Sequence, residues 1–306
     1  LFPYTTLFRS SMIFETCTDL VGKTPIVKLN SKNSDKFIKL EGLNPTGAIK
    51  DRLAFGLIKN KIEQGLLKKG MTIIGASGGS FGCSLSYFGK LLGFNTKIVV
   101  NDKMKDDKRE FIKYFGGELI DYPGSTIDGN EHCKELAAEA EDLLFLDQFH
   151  DWENVNVHYS TTGLEIIDDL PNIGTLIFSV GTGGSLYGIS KRLSEFNSNI
   201  KIVAVTGSSG TKISGLYTFD DGDYVTPFYK EFLSSGLISK VEKVSEDEAI
   251  SGLFELRDKG FYTGICSGAV YAALKRQECS SDSPILMISG DSGWKNSDYI
   301  SNLVND

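Results

Sequence analysis

Lys50 closes a turn-rich run, Asn44-Pro45-Thr46-Gly47-Ala48-Ile49, and is followed at once by Asp51 and Arg52. A short apolar run, Phe37-Ile38-Lys39-Leu40, precedes the loop. Beyond it Ala54, Leu57, Ile58 and Ile62 fall on one helical stripe that stops near Gly65. The pattern predicts strand, loop and helix, with Lys50 where the helix begins. There the positive end of the helix dipole disfavours the protonated amine. A lysine kept as a free amine suits a Schiff base or proton transfer. By itself a lysine is most often a solvated charge, so this reading needs support from the rest of the chain.

Two glycine-rich turns supply it. One is Gly75-Ala76-Ser77-Gly78-Gly79-Ser80-Phe81-Gly82, the other Gly181-Thr182-Gly183-Gly184-Ser185. Each follows an apolar run and precedes a helical pattern. Small residues there let backbone N–H groups converge at a helix N-terminus, which makes an anion site. Two such turns and the lysine point to a ligand with a phosphate and a carboxylate. A dinucleotide fits poorly: Gly181-x-Gly183 continues to Gly188 with four intervening residues, and the run Lys201–Val205 ends in Thr206-Gly207, with no acid for a ribose hydroxyl. The nucleotide-binding lysine loop is also absent.

The chain has 306 residues, 41% of them hydrophobic, and a net charge of −8. That is enough for one large domain or two modest ones, and the acidity argues against nucleic acid or an anionic membrane as partner. No apolar run approaches the roughly 20 residues that span a bilayer. Cys17, Cys83, Cys133, Cys266 and Cys279 show no paired spacing, nor do His132, His150 and His158. The expectation is reduced thiols, a cytoplasmic setting and no metal centre. Residues 1–11 read as a non-native or disordered extension before Met12. Tyr4 to Ser10 can be written in codons as a common sequencing adaptor, and no signal-peptide pattern is present.

Short apolar runs alternate with amphipathic stretches over the rest. Strands are expected at 72–74, 97–100, 143–146, 176–180, 201–205 and 284–289. Thr162-Gly-Leu-Glu165 and Ser245-Glu-Asp-Glu248 have capping-box spacing. The rhythm predicts an α/β protein with parallel sheets flanked by helices. The segment from Gly207 to about Gly236 lacks periodicity and reads as a long binding loop or lid.

The segment 44–52 closely resembles the N-P-T-G-S-x-K-D-R signature of fold-type II pyridoxal-phosphate enzymes, the cysteine synthase and cystathionine β-synthase family. The resemblance runs from about Met12 to Tyr299. Val21-Gly-Lys-Thr24-Pro25 resembles its G-x-T-P motif and Gly181–Ser185 its G-T-G-G-T phosphate loop. Gln148-Phe149 and His158-Tyr-x-Thr161-Thr162-Gly163 resemble Q-F and H-Y-x-T-T-G. Lys212-Ile213-x-Gly215 resembles K-I-x-G, Gly264–Ala269 resembles G-I-S-S-G-A, and Asp291-Ser292-Gly293 resembles P-D-S-G. The resemblance implies pyridoxal 5'-phosphate held by Lys50 as a Schiff base. Gly181, Thr182, Gly183, Gly184 and Ser185 would hold its phosphate, Ser80 its phenolic oxygen and Ser292 its pyridine nitrogen. Ser77, Gly78, Gly79, Ser80, Phe81, Gln148 and Gly215 would meet the substrate. It further implies two domains of the tryptophan synthase β type: a large one of 12–50 and 160–306, a small mobile one of 51–159, and a homodimer.

Some departures from the family bear on the site. Ser80 replaces an asparagine, Phe81 a threonine, Thr206 an acid and Cys266 a serine. The implied activity is β-replacement on an activated L-serine, O-acetylserine or O-phosphoserine, by sulfide or another nucleophile. A β-eliminase of serine or threonine dehydratase or desulfhydrase type is the alternative, and a divergent cofactor-binding protein without turnover a third.

Overall fold

The computed structural model describes residues 13–29, 35–213, 215–278 and 283–305. Residues 1–11 and Cys279 lie outside them. In chain order the elements are β1 (Ile26–Lys28), β2 (Lys36–Leu40), α1 (Lys50–Glu63), β3 (Thr72–Ala76), α2 (Ser80–Leu91), β4 (Asn95–Asn101), α3 (Asp106–Tyr114), β5 (Gly117–Tyr122), α4 (Thr126–Ala138), β6 (Leu143–Phe145), α5 (Glu153–Ser160) and α6 (Thr162–Asp169). There follow β7 (Thr175–Ser179), α7 (Gly184–Phe196), β8 (Lys201–Gly207), α8 (Pro227–Ser234), β9 (Lys240–Val244), α9 (Glu246–Asp258), α10 (Ile265–Lys275), β10 (Ile285–Ser289) and α11 (Ser297–Asn305).

These strands form two sheets. One has the order β1-β2-β10-β7-β8-β9, the other β5-β4-β3-β6. Every pairing is parallel except β1 with β2. Parallel strands covered by helices on both faces need apolar residues throughout, and all five residues of β10 are buried. Strand β10 lies between β2 and β7, with Ser289 beside Leu40. The C-terminal ends of β2, β7 and β10 therefore reach one edge of the sheet, where open α/β folds place their ligands.

Two core clusters cover the faces of the larger sheet. One joins Ile177, Val203 and Met287 to Leu253 and Ala269; the other joins Leu176, Ile202 and Ile288 to Ile189 and Phe228. A third packs Leu53, Leu57 and Phe88 on Ile73 and Ile98 of the smaller sheet, and Cys133 packs with Ile74 and Val99 on its other face. Each buried Leu, Ile or Phe contributes about 1.5–3 kcal/mol, against at most about 1 kcal/mol for an exposed ion pair. The clusters therefore dominate the stability of the frame.

Several sequence expectations change here. Thr162–Glu165 is not a capping box: the Thr162 hydroxyl meets His158, and Glu165 pairs with Arg52 and Lys39. A distant guanidinium outcompetes one local N–H for the carboxylate. Ser245 and Glu248 do form the expected box, and Ser125 and Asp128 form another that opens α4. The 207–236 stretch is not one loop, because α8 lies within it, opened by Pro227 and capped by Thr226. Ile62, placed on the buried stripe of α1, is 41% exposed. Strands β1, β5 and β9 are too short or too charged to show in the apolar pattern.

Candidate active site

Segment 44–52 is held rigidly. The Ile49 N–H donates to the Gly290 carbonyl (2.8 Å), and Ala48 bridges Asp291, which ties the segment to the chain leaving β10. Asp51 accepts from the Thr46 N–H and hydroxyl at 2.6 and 2.5 Å. Gly47 has φ +87°, a region a side chain would strain. Arg52 is buried and donates to Glu41 at 2.7 and 2.8 Å and to Glu165 at 2.6 and 2.7 Å. Lys39 adds a 2.9 Å bond to Glu165, and the Thr24 hydroxyl donates to Glu41 at 2.7 Å. Burial favours neutral carboxyls, but Arg52 overrides it and holds Glu41 low and Glu165 at about 2.

Lys50 stands on this brace as the first residue of α1. It is half-buried, and desolvation draws its pKa from 10.5 to about 8. Burial is the operative cause. Near neutrality a usable fraction is free amine, which is what covalent capture of a carbonyl or proton abstraction needs.

The Lys50 amine faces a cavity of about 290 Å³, walled from both sheets. It is near the low end of the roughly 300–1,000 Å³ usual for small-molecule sites. Among the sequence-predicted residues, Ser77 to Phe81, Gln148, Gly181, Thr182, Gly183, Ser185 and Gly215 line it with Lys50. Gly184 and Ser292 are not on its wall. Gly184 is the first residue of α7, with Asn154 so close that a Cβ would lie 2.5 Å from it. Ser292 lies behind Asp291: its N–H donates to the Gly47 carbonyl (2.9 Å), and its hydroxyl accepts from the Trp294 N–H (3.3 Å). Asp291 takes the wall position instead. Phe81 touches the cavity, but its side chain packs in the core with Leu85 and Ile112 and is 2% exposed.

The turn at 181–185 is fully buttressed. Asn154 donates to the Thr182 hydroxyl (3.2 Å) and to the Gln148 carbonyl (2.7 Å). The Thr226 hydroxyl donates to the Thr182 carbonyl at 2.5 Å. His158 bonds the hydroxyls of Ser185 (3.1 Å) and Thr162 (3.0 Å). Burial, with the Arg52 charge, holds this histidine neutral with a pKa of about 3. Gly183 has φ +85°, and the Gly215 carbonyl approaches Gly181 so closely that a Cβ there would lie 3.1 Å from it. In the other turn the Ser77 hydroxyl accepts from the N–H groups of Gly79 (3.0 Å) and Gly82 (2.7 Å). The Gln148 amide donates to the Ala76 carbonyl at 2.9 Å.

Comparison with known proteins shows the family. Residues 17–291 match the model of the family described as pyridoxal-phosphate dependent enzyme. The chain belongs to that family. It is 30% identical over 288 residues to cysteine synthase B of Escherichia coli, covering 91% of this chain and 93% of that one. The structure of an O-acetylserine dependent cystathionine β-synthase from Helicobacter pylori superposes with a TM-score of 0.83 at 28% identity, over 93% of this chain and 97% of that one. A hydrogen sulfide-producing enzyme from Fusobacterium nucleatum superposes with a TM-score of 0.84 at 29% identity, over 92% and 99%.

The residues present fit the family's cofactor. Among the described residues no acceptor takes the N–H groups of Gly184, Ser185 or Leu186 at the start of α7, which leaves an anion-sized cradle. The buried Asp291 Oδ1 and Lys295 Nζ, both of wall residues, have no hydrogen-bond partner, which marks the cavity as made for a polar occupant. The sequence reading missed Asn154, Lys108, Lys295 and the wall position of Asp291. Only Asp291 had a signal, its place beside Ser292; the others are single residues in unremarkable local patterns.

Proposed function

We propose that this protein catalyses β-replacement on an activated L-serine, a cysteine synthase-like reaction. The observation that carries the reading is the lowered Lys50 amine sharing one cavity with two helix N-terminal turns. Lys50 Nζ would hold the cofactor's carbonyl. The amides of 181–186, with the Thr182 and Ser185 hydroxyls, would hold its phosphate, and His158 and Asn154 would orient those hydroxyls. Ser80 would meet the phenolic oxygen. Asp291, with Ser292 behind it, faces the pyridine nitrogen in this reading. Burial pushes the Asp291 carboxyl up, against the pull of Asn296 and Lys295.

When bound, the cofactor supplies an electron sink for charge developing at the substrate Cα. Lys50, released as substrate enters, takes the Cα proton and later returns it. Ser77 arranges the 78–81 turn so that the N–H groups of Ser80 and Phe81, which no described acceptor takes, bind the substrate carboxylate together with Gln148. Gly215 closes the cavity from the opposite loop. Movement of the 51–159 segment toward 160–306 would exclude water. A cytoplasmic homodimer completes the reading. The buried thiols of Cys83, Cys133 and Cys266, none in a disulfide, support the compartment, and the family resemblance supports the dimer.

The test is to give the holoenzyme O-acetyl-L-serine or O-phospho-L-serine with sulfide and to measure cysteine and pyruvate. Cysteine that disappears in Lys50→Ala is expected. Pyruvate formed without sulfide would favour the eliminase, a reading that the likeness to the Fusobacterium enzyme supports. No product with either serine would overturn the β-replacement.

A further inference from the structure

Three lysines and one aspartate are the charged residues of the cavity wall: Lys50, Lys108, Lys295 and Asp291. In the proposed function Lys50 is taken by the cofactor. The cofactor phosphate sits on 181–186 and the substrate carboxylate on 80–81. Lys295 is then left without an assigned anion, and Lys108 shares its wall.

Lys295 is the more telling. It is 8% exposed, and its Nζ is buried without a hydrogen-bond partner. It extends from the short helical turn Gly293–Asn296 toward Gly47, the Cys83 thiol and the face of Phe111, whose ring centre is 5.9 Å away. Asp51 and Asp291 are near enough to feel its charge, yet neither forms an ion pair with it among the described residues. Asp51 is engaged by Thr46, and Asn296 donates to one oxygen of Asp291. An ammonium desolvated without a partner is costly unless a ligand brings the anion. Lys108 comes from the other side, from α3 beside the smaller sheet, and its stem lies over Gly79.

Building on the β-replacement reading, we infer that Lys108 and Lys295 form a second anion subsite, which selects an activated serine whose β-substituent is a phosphate over one carrying a neutral ester. The Cβ–O bond breaks, and its electron pair leaves with inorganic phosphate. A lone pair of the sulfide nucleophile forms the new Cβ–S bond, and nothing is oxidised or reduced. The lysines offset the charge that grows on the departing phosphate.

The test compares kcat/KM for O-phospho-L-serine and O-acetyl-L-serine in the wild type, Lys295→Met, Lys108→Met and Lys295→Arg. The wild type should prefer the phosphate ester. Each methionine variant should lower the phosphate-to-acetate ratio by about tenfold or more, the size of one lost charged hydrogen bond. Lys295→Arg should restore most of it. A wild type that prefers the acetate ester would overturn the inference. So would a ratio that holds while both substrates weaken together, because the lysines would then serve the shared carboxylate. Calorimetric titration of the holoenzyme with inorganic phosphate gives a readout without turnover, and binding should weaken about tenfold in Lys295→Met. Lysine-dependent phosphate binding with no amino-acid product would sink the β-replacement reading and leave the subsite standing. Product formation with lysine-independent phosphate binding would do the reverse.

Discussion

The two glycine-rich turns make an informative pair. Both follow the C-terminal end of a parallel strand, both open a helix and both face the same cavity. The 181–185 turn is locked from outside by Asn154, His158 and Thr226, which leaves three successive amides of α7 to a ligand. The 77–82 turn is braced mainly from within, by a single hydroxyl that takes two of its own amides, while Val99 holds its first N–H. Side chains fixed by distant packing suit a cofactor that stays bound. A turn held by its own serine can adjust to a substrate that comes and goes.

Disturbing the shared brace should have the largest effect. Arg52→Ala leaves Glu41 buried and unpaired, so the protein should lose about 3–5 kcal/mol in denaturant unfolding. Arg109→Ala, which removes the exposed pair with Asp121, should cost at most about 1 kcal/mol. Gly183→Ala should come next. A side chain at φ +85° strains the backbone by about 1–3 kcal/mol. It would also lie 3.0 Å from the Tyr229 Cβ, so cofactor retention on dialysis should collapse. Retention equal to wild type would refute the cradle.

Ser185→Ala should weaken cofactor binding about tenfold, with little change in substrate KM on the loaded enzyme. Lys50 makes a pH prediction of similar size. With its pKa at about 8, the free-amine fraction of the apoprotein falls about tenfold per pH unit below that value and levels off above it. Rates of cofactor uptake, followed by absorbance, should trace that curve; a flat profile from pH 6 to 9 would exclude the lowered amine. Ser77→Ala should be mildest, about 1 kcal/mol for the two N–H bonds its hydroxyl accepts, and should raise substrate KM while leaving cofactor affinity intact. If Ser77→Ala released cofactor and Ser185→Ala raised KM, the division of labour between the turns would be the wrong way round.

Most of the proposed site was legible in the residues themselves. Lys50 after Asn44-Pro45-Thr46-Gly47 and the glycines of both turns are local features, and their geometry follows from local sterics. Ser292 was legible only as part of a motif. In the fold its hydroxyl caps a turn and Asp291 holds the wall, because the bridges to Ala48 and Thr263 set which residue faces inward. Glu165 looked like a helix cap and is instead the partner of Arg52, 113 residues away. Lys295 and Lys108 carried no signal, since a lone lysine in a polar stretch reads as solvated.

By itself the sequence determined the α/β alternation, the lysine at the start of α1 and the two glycine-rich turns that open α2 and α7. Periodicity, glycine sterics and helix N-termini act over a few residues, and such effects survive in any tertiary setting. Only the tertiary structure decided which carboxylates neutralise Arg52, which hydroxyls His158 orients and which lysines share a wall with Lys50. Those outcomes depend on burial and on charge pairing between segments that only packing brings together. A single ion pair formed across the fold there outweighs the preference of either residue in its own stretch of chain.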